Sequence, residues 1–185
     1  HAPLDCLISS HHAQAERIAP LFEAQGTQVI ANPKVFNIDP SWEKRPESCT
    51  LKPNIQTFMS ISNRLDASLS PAMCLAVKDI LIRCPKSLYL IAGKFSYDPS
   101  WRLRIFEEFG LKDRVIFLGY SNNTKELLKN CDIYLNPFPM GGGCSVMEAL
   151  ACKIPVVSMF FPSFDSCAQE GADFVGLENT IHSQN

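Results

Sequence analysis

The chain has 185 residues, of which 46% are hydrophobic and 19% are charged, and its formal net charge is −2 at pH 7. This length allows one full domain and part of another, and the composition excludes a disordered or fibrous protein. Basic residues are spread along the chain, so no electrostatic footprint for nucleic acid is present. No apolar run approaches the ~20 residues of a membrane span, and we expect a soluble protein.

The eight cysteines indicate a reducing environment. Several lie inside apolar runs and none forms a Cys-x-x-Cys pair, so neither a disulfide framework nor a zinc site is predicted. We therefore expect buried thiols, no bound metal and a cytoplasmic protein. The first residue is His1 and not Met, which suggests that the chain is a piece of a longer protein.

Residues 1–53 have the pattern of the end of a preceding α/β domain. A strand is predicted at 4–10, a helix at 15–26 and a second strand at 27–33. A passage rich in proline and charge follows at 39–53, and its composition is typical of a linker. Residues 54–185 are therefore predicted to form a separate domain, which continues beyond the end of this chain.

From residue 54 onward, strand and helix patterns alternate. The predicted strands are 57–62, 87–93, 114–119, 132–137, 154–158 and 173–177. The predicted helices are 72–84, 100–110, 123–130, 145–152 and a short one near Ser166. These strands are apolar throughout and do not alternate, which is typical of a parallel sheet covered on both faces. We predict a doubly wound, Rossmann-like α/β domain whose ligand crevice lies at the carboxyl ends of the strands.

The glycine run 141–143 lies at this edge, between a predicted strand and a predicted helix. Glycines admit a ligand to the backbone, and a helix N-terminus attracts anions, so phosphate is the candidate ligand. Neither a P-loop nor a Gly-x-Gly-x-x-Gly motif is present, which disfavours an NTPase or a nicotinamide dehydrogenase. Ser145 and Glu148 also have the spacing of a capping box, in which they would close the helix without binding any ligand.

The segments RVIFLGY at 114–120 and ELLKNCDIYLNPFPMGGGCSVMEALACKIPVVS at 126–158 resemble glycosyltransferases with the GT-B fold. The similarity is to their nucleotide-sugar-binding half, and it is strongest to the O-GlcNAc transferase type of glycosyl transferases group 1. It implies that residues 54–185 bind a nucleoside-diphosphate sugar, in the first instance a UDP-sugar. It also implies hexosyl or N-acetylhexosaminyl transfer to an unknown acceptor, metal-independent chemistry, no cofactor, and an N-terminal GT-B domain outside this chain.

The resemblance also carries roles for individual residues. Gly142, Gly143, Cys144 and Ser145 match the positions whose backbone N–H groups and small side chains bind the diphosphate. Glu148 matches the acidic residue that accepts hydrogen bonds from the ribose hydroxyls, and a carboxylate suits a diol because it accepts two hydrogen bonds at once. Ser145 and Glu148 would therefore bind ligand even if they also capped the helix.

Two other parts of the sequence match the family's donor site. Arg64 lies where such enzymes place a polar or basic group on the diphosphate, and it would stabilise the leaving group. Gly119, Tyr120 and Ser121 match the loop that lies against the base. Arg64 lies in the segment SNRLD at 62–66, and the loop against the base is GYS at 119–121.

Two departures from the family keep other functions open. The segment 65–73 lacks the lysine that many relatives carry, and Met140 lies where a related bacterial pattern has an acid. The alternatives are a non-catalytic GT-B partner subunit without donor binding, a sugar-nucleotide epimerase, and a plain structural α/β domain. On the main interpretation, the isolated chain binds donor and barely turns over, because the general base would come from the N-terminal domain.

Overall fold

The structure, a computed structural model, describes residues 7–9, 27–29, 55–160 and 181–182. The chain separates into two compact units, His1–Asn37 and Ile38–Asn185. In the first unit, strand β1 (Leu7–Ser9) pairs in parallel with strand β2 (Thr27–Val29). The predicted helix at 15–26 and the predicted linker at 39–53 lie outside the described residues, so the domain boundary after residue 53 stays a prediction.

A five-stranded parallel sheet forms the centre of the second unit. Its strands are β3 (Gln56–Ser62), β4 (Ser87–Gly93), β5 (Val115–Gly119), β6 (Ile133–Leu135) and β7 (Val156–Val157). They lie in the order β5-β4-β3-β6-β7, and every pairing between them is parallel. A separate parallel pair joins β8 (Met159–Phe160) to β9 (Ile181–His182). The predicted α/β fold class with a parallel sheet is confirmed.

Five α-helices connect the described strands. They are α1 (Leu65–Ser68), α2 (Pro71–Arg83), α3 (Ser100–Glu108), α4 (Thr124–Leu128) and α5 (Gly143–Ala151). A 3-10 turn, Lys112–Arg114, precedes β5. None of the helices in the described part of the chain is long and apolar enough to span a membrane. The predicted helix near Ser166 and the predicted strand at 173–177 lie outside the described residues.

The sheet carries a hydrophobic core on each face. Along β3, Phe58 packs with α2 and α3 on one face, while the next residue, Met59, packs with α4 and α5 on the other. Tyr89 and Leu90 of β4 divide between the two faces in the same way. Successive side chains of a strand point to opposite faces, so strands buried on both sides must be apolar throughout. This confirms the doubly wound arrangement.

The strand order places a topological switch point between β3 and β6. From β3 the chain builds β4 and then β5 on one side, and it then crosses to the other side of β3 to form β6 and β7. At such a point, the connections that follow the two neighbouring strands lead in opposite directions. The crevice between these connections, at the carboxyl ends of the strands, is the usual ligand site of open α/β sheets. The loop after β3 contains Arg64, and the loop after β6 contains the glycine run.

Candidate functional site

The loops that follow β3 and β6 are joined to each other at the switch point. Leu69, just after α1, forms a β-bridge with Phe138 in the loop after β6. The Ser70 hydroxyl donates to the Phe138 carbonyl at 2.9 Å and accepts from the Met73 amide at 3.1 Å, which caps α2. A serine before Pro71 is a common helix start, but the contact with residue 138 is invisible in the sequence.

Asn136 holds the glycine loop against the end of the sheet. Its side chain is 5% exposed. Its Oδ1 accepts from the Gly142 amide at 3.0 Å, and its Nδ2 donates to the Ser158 hydroxyl at 2.9 Å. A Cβ on Gly142 would lie 3.6 Å from the Ile61 carbonyl oxygen of β3, so the loop lies close to both central strands. We did not predict a role for Asn136, which lies inside the strand predicted at 132–137, whereas in the structure the strand ends at Leu135. A polar residue within an apolar strand was the available signal.

Helix α5 begins two residues before its predicted start, and the capping-box prediction is wrong. The N-cap residue is Gly142, with an extended φ of −129° and no side-chain cap. Ser145 is thus the third residue of the helix, and its side chain lies beside the buried Tyr134 hydroxyl, whose pKa is raised by burial and partly lowered by Ser145. Tyr134 in turn donates to the Ile61 carbonyl at 3.2 Å. Ser145 therefore does not cap the helix. It lies inside the first turn of α5, next to Tyr134, whose hydroxyl binds β3.

The first turn of α5 presents backbone donors to the crevice. The first helical hydrogen bond runs from the Val146 amide to the Gly142 carbonyl at 3.0 Å. The amides of residues 143–145 therefore precede the helical ladder and lie at the positive end of the helix dipole. The Gly142 amide already donates to Asn136, and the binding of a ligand by Gly142 and by residues 143–145 stays a prediction. The Cys144 side chain is exposed, and Ser145 and Glu148 are half-buried.

Arg64 lies on the loop after β3 and is the N-cap residue of α1. Its side chain is exposed. The backbone of this loop is held by Ser62, whose buried hydroxyl accepts from the Arg64 amide at 3.0 Å and hydrogen-bonds the Ser68 hydroxyl at 2.7 Å. The Arg64 carbonyl accepts from the amide of Ser68 at 2.9 Å. The position of Arg64 thus depends on how α1 is held.

Gly93 allows the ends of β3 and β4 to come together. It has a φ of +139°, and a Cβ on this residue would lie 1.8 Å from the Ser62 carbonyl oxygen. Only glycine fits this conformation and this distance. We predicted the strand that ends at Gly93 but no role for the glycine, because the contact joins residues that are distant in the sequence.

The predicted base contacts lie farther along the same edge. Gly119 ends β5 with a φ of +73°, and Tyr120 is 60% exposed. The Ser121 hydroxyl accepts from the Asn123 amide at 3.1 Å, just before α4. β5 is two positions from β3 in the sheet, about 10 Å at the usual spacing of strands. The structure therefore places these residues at the ligand edge, and their contact with a base stays a prediction.

The arrangement has the chemistry of a site for an anion that also carries hydroxyl groups. A helix N-terminus and a guanidinium are placed on the two loops of the switch point, and both favour phosphate groups. The Glu148 carboxylate is one turn farther along α5 and can accept hydrogen bonds from a diol. Within the described residues, no group of three or more His, Cys, Asp or Glu side chains could hold a metal ion.

Solved structures with the same fold are glycosyltransferases. An O-GlcNAc transferase mutant from Thermobaculum terrenum superposes with a TM-score of 0.68 at 19% identity, over 98% of this chain and 35% of that one. TarM from S. aureus, solved with UDP, gives 0.71 at 18% identity over 98% and 34%. HepE from Anabaena, in complex with UDP and glucose, gives 0.65 at 22% identity over 97% and 49%. The chain therefore spans between a third and a half of these proteins.

The similarity in sequence agrees with the similarity in fold. No curated protein matches the chain in sequence. A family model described as glycosyl transferases group 1 matches residues 72–180, which is more than half of the chain and includes the glycine loop with α5. The structural neighbours are GT-B glycosyltransferases. The chain belongs to the glycosyl transferases group 1 family and has the fold of one half of a GT-B enzyme.

Proposed function

We propose that residues 54–185 form the donor-binding domain of a glycosyltransferase that uses a UDP-sugar. The observation that carries this proposal is the pairing, across the switch point, of the α5 N-terminus with the loop that contains Arg64. Three neighbours of the same fold, TarM, HepE and the pneumococcal transferase GtfA, were solved with UDP, which supports UDP as the nucleotide.

In this proposal the diphosphate lies over the first turn of α5. The amides of residues 143–145 donate to its oxygens, and the Ser145 side chain stays beside the Tyr134 hydroxyl. Glu148 accepts from the two ribose hydroxyls. The base lies toward residues 119–121, at the end of β5. The half-buried position of Glu148 supports this role, because a carboxylate is more effective as an acceptor where water competes less.

The chemical step needs a leaving group whose charge is stabilised. An acceptor oxygen or nitrogen attacks the anomeric carbon, the bond to the diphosphate breaks, and negative charge grows on the departing UDP. The fixed amides and the Arg64 guanidinium stabilise that charge more in the transition state than in the bound donor. The group that takes the acceptor proton would come from the rest of the protein. We therefore expect this chain to bind donor but to transfer little sugar alone.

Calorimetric titration of the whole protein and of this chain tests the proposal. The ligands are UDP, GDP and their common sugar conjugates, and the variants are Arg64→Ala and Glu148→Gln. Each removes a charge-assisted hydrogen bond, so each should weaken UDP binding by roughly tenfold or more. The matched controls are Arg83→Ala and Glu126→Gln, exposed residues of α2 and α4 that should leave affinity unchanged. Absence of binding of any nucleotide to the whole protein would refute donor binding.

A non-catalytic partner subunit is the second candidate. It is favoured by Met140, which lies half-buried in the glycine loop where a related pattern has an acid, and by the missing lysine in 65–73. An activity assay on the whole protein separates the two candidates. Sugar transfer or donor hydrolysis supports the transferase, whereas a whole protein that binds no nucleotide and catalyses neither reaction supports a partner subunit without donor binding.

A further inference from the structure

Arg102 of α3 is a buried cation behind the loop that carries Arg64. It is 4% exposed, and arginine is rarely buried to this extent unless its charge and donors are satisfied. Its Nε donates to the Leu69 carbonyl at 3.0 Å and its Nη2 donates to the Asp66 carbonyl at 2.7 Å. Its Nη1 lies 3.7 Å from the Asp66 carboxylate. Every one of these partners belongs to α1 or to the residue that follows it.

Helix α1 needs such support from outside. It has only four residues, and a helix of one turn has too few internal hydrogen bonds to be stable alone. The carbonyls at its end lack helical partners, and Arg102 supplies donors to two of them. The Asp66 carboxylate also accepts from the Ser96 amide at 2.5 Å, in the loop between β4 and α3. α1 is therefore fastened to α3 and to the preceding loop through a pair of charged residues.

Aromatic rings hold the Arg102 guanidinium in its place. Its central carbon lies 4.2 Å from the centroid of the Trp101 ring and 5.3 Å from that of Phe95. Such cation–π contacts restrict a planar guanidinium and stabilise its charge where water is scarce. The donors of Arg102 thus point in a fixed direction, toward α1.

We infer that Arg102 is a positioning residue, which sets the place of Arg64 by holding α1 at the carboxyl edge of β3. The Arg64 carbonyl accepts from the amides of Ala67 and Ser68, so a shift of α1 moves the Arg64 backbone with it. The inference rests on the proposed function for the ligand that Arg64 binds. Arg102 itself touches no ligand in this account.

Arg114 offers a matched control at the opposite edge of the sheet. It is half-buried, and its Nε donates to the Ser87 carbonyl at 2.9 Å. Its Nη2 donates to the carbonyls of Leu81 at 2.8 Å and Cys84 at 2.6 Å. Arg114→Met therefore removes the same kind of interaction as Arg102→Met, but at the amino ends of β4 and β5.

The test is a double-mutant cycle on UDP affinity in the whole protein, with Arg64→Ala, Arg102→Met and the two combined. Arg102→Met should raise the Kd for UDP roughly tenfold, because a small displacement of a binding group has a large effect. In the background of Arg64→Ala it should have no further effect, since it acts through Arg64. Arg102→Lys keeps the charge but not the fork of donors and should behave like Arg102→Met. Arg114→Met should leave the Kd unchanged.

Amide hydrogen exchange provides a readout without ligand. In Arg102→Met the amides of residues 65–69 should exchange faster, while in Arg114→Met they should exchange as in the wild type. Any of three results would overturn the inference, provided that the wild type binds UDP. These are unchanged amide exchange in Arg102→Met, additive effects of Arg64→Ala and Arg102→Met on the Kd, and equal effects of Arg102→Met and Arg114→Met. A wild-type protein that binds no nucleotide would overturn the proposed function and the ligand half of this inference, whereas the exchange result would still decide whether Arg102 holds α1.

Discussion

Similar polar contacts occur at the amino ends of the strands of the central sheet, here called the amino edge, and at their carboxyl ends, the carboxyl edge, but they hold different elements. At the amino edge, Arg114 donates to carbonyls that end α2 and begin β4, and the Thr57 amide donates to the Asp132 carboxylate at 2.8 Å. At the carboxyl edge, Arg102 donates to carbonyls of α1, and Asn136 binds the Gly142 amide. Both edges satisfy buried backbone groups, as a folded protein must.

What differs is the element that each contact holds. The amino-edge contacts hold the connections that lead into β4, β5 and β6, and we assign them to the stability of the fold. The carboxyl-edge contacts hold α1 and the start of α5 in place at the switch point, and the loops there contain the residues that we propose to bind donor. Loss of stability therefore cannot identify a functional contact in this protein. A functional contact is one whose removal also changes ligand affinity.

The largest effect is expected at Gly93, where the ends of β3 and β4 approach each other. Gly93→Ala places a Cβ 1.8 Å from the Ser62 carbonyl oxygen at a φ of +139°. The backbone must move, and the free energy of unfolding should fall by about 3 kcal/mol or more. Gly110→Ala is the control, because its φ is +66° but no atom lies within 4 Å of the added carbon, and it should cost only about 1 kcal/mol. Urea unfolding measures both, and equal costs would contradict the close approach.

A smaller loss of stability is expected from Asn136→Ala and from Thr57→Val, and the comparison of their UDP affinities distinguishes the two edges. Each variant removes buried or partly buried hydrogen bonds, at the carboxyl and the amino edge respectively, and each should lower the free energy of unfolding by about 2 kcal/mol. Only Asn136→Ala releases the Gly142 amide and the start of α5, so only this variant should weaken UDP binding. Calorimetry on both variants checks this, and equal affinities would refute the separate roles of the two edges.

The smallest effect concerns the pH dependence of stability through Cys74, in the first turn of α2. Burial raises the pKa of this thiol from 9.0 to about 11, although the charge of Arg102 partly opposes the shift. Because the folded state favours the neutral thiol, the stabilisation is complete below pH 9 and is lost as the pH rises toward 11. At about pH 10 the wild type should lose about 1 kcal/mol more than Cys74→Ala. Identical pH profiles in urea unfolding would exclude this contribution.

The parts of the structure that could be predicted from the sequence are those with a local cause. β4 has its predicted bounds because it is an uninterrupted apolar run between a proline turn and a glycine. α2 has nearly its predicted bounds, since Ser70 and Pro71 form a strong local start. The predicted anion loop also lies at the ligand edge, because parallel strands joined by helices all end at the same edge of the sheet.

The parts that could not be predicted depend on contacts between distant residues. The sequence pattern predicts a helix that starts at residue 145, but the Asn136 side chain binds the Gly142 amide and α5 begins at Gly143. Arg102 lies within the helix predicted at 100–110, and no local pattern marks it, because its partners are 33 and 36 positions away in the sequence. α1 is too short for any apolar period to reveal it.

The most direct test of donor binding at the carboxyl edge is a titration of the 15N-labelled chain with UDP, followed by amide chemical shifts. We expect the largest shifts at residues 143–145 and near Arg64, while the amide signals of Thr57, Asp132 and Arg114 at the amino edge should not shift. Shifts centred on the amino edge, or no shifts at millimolar UDP in a chain that retains its fold, would contradict the account.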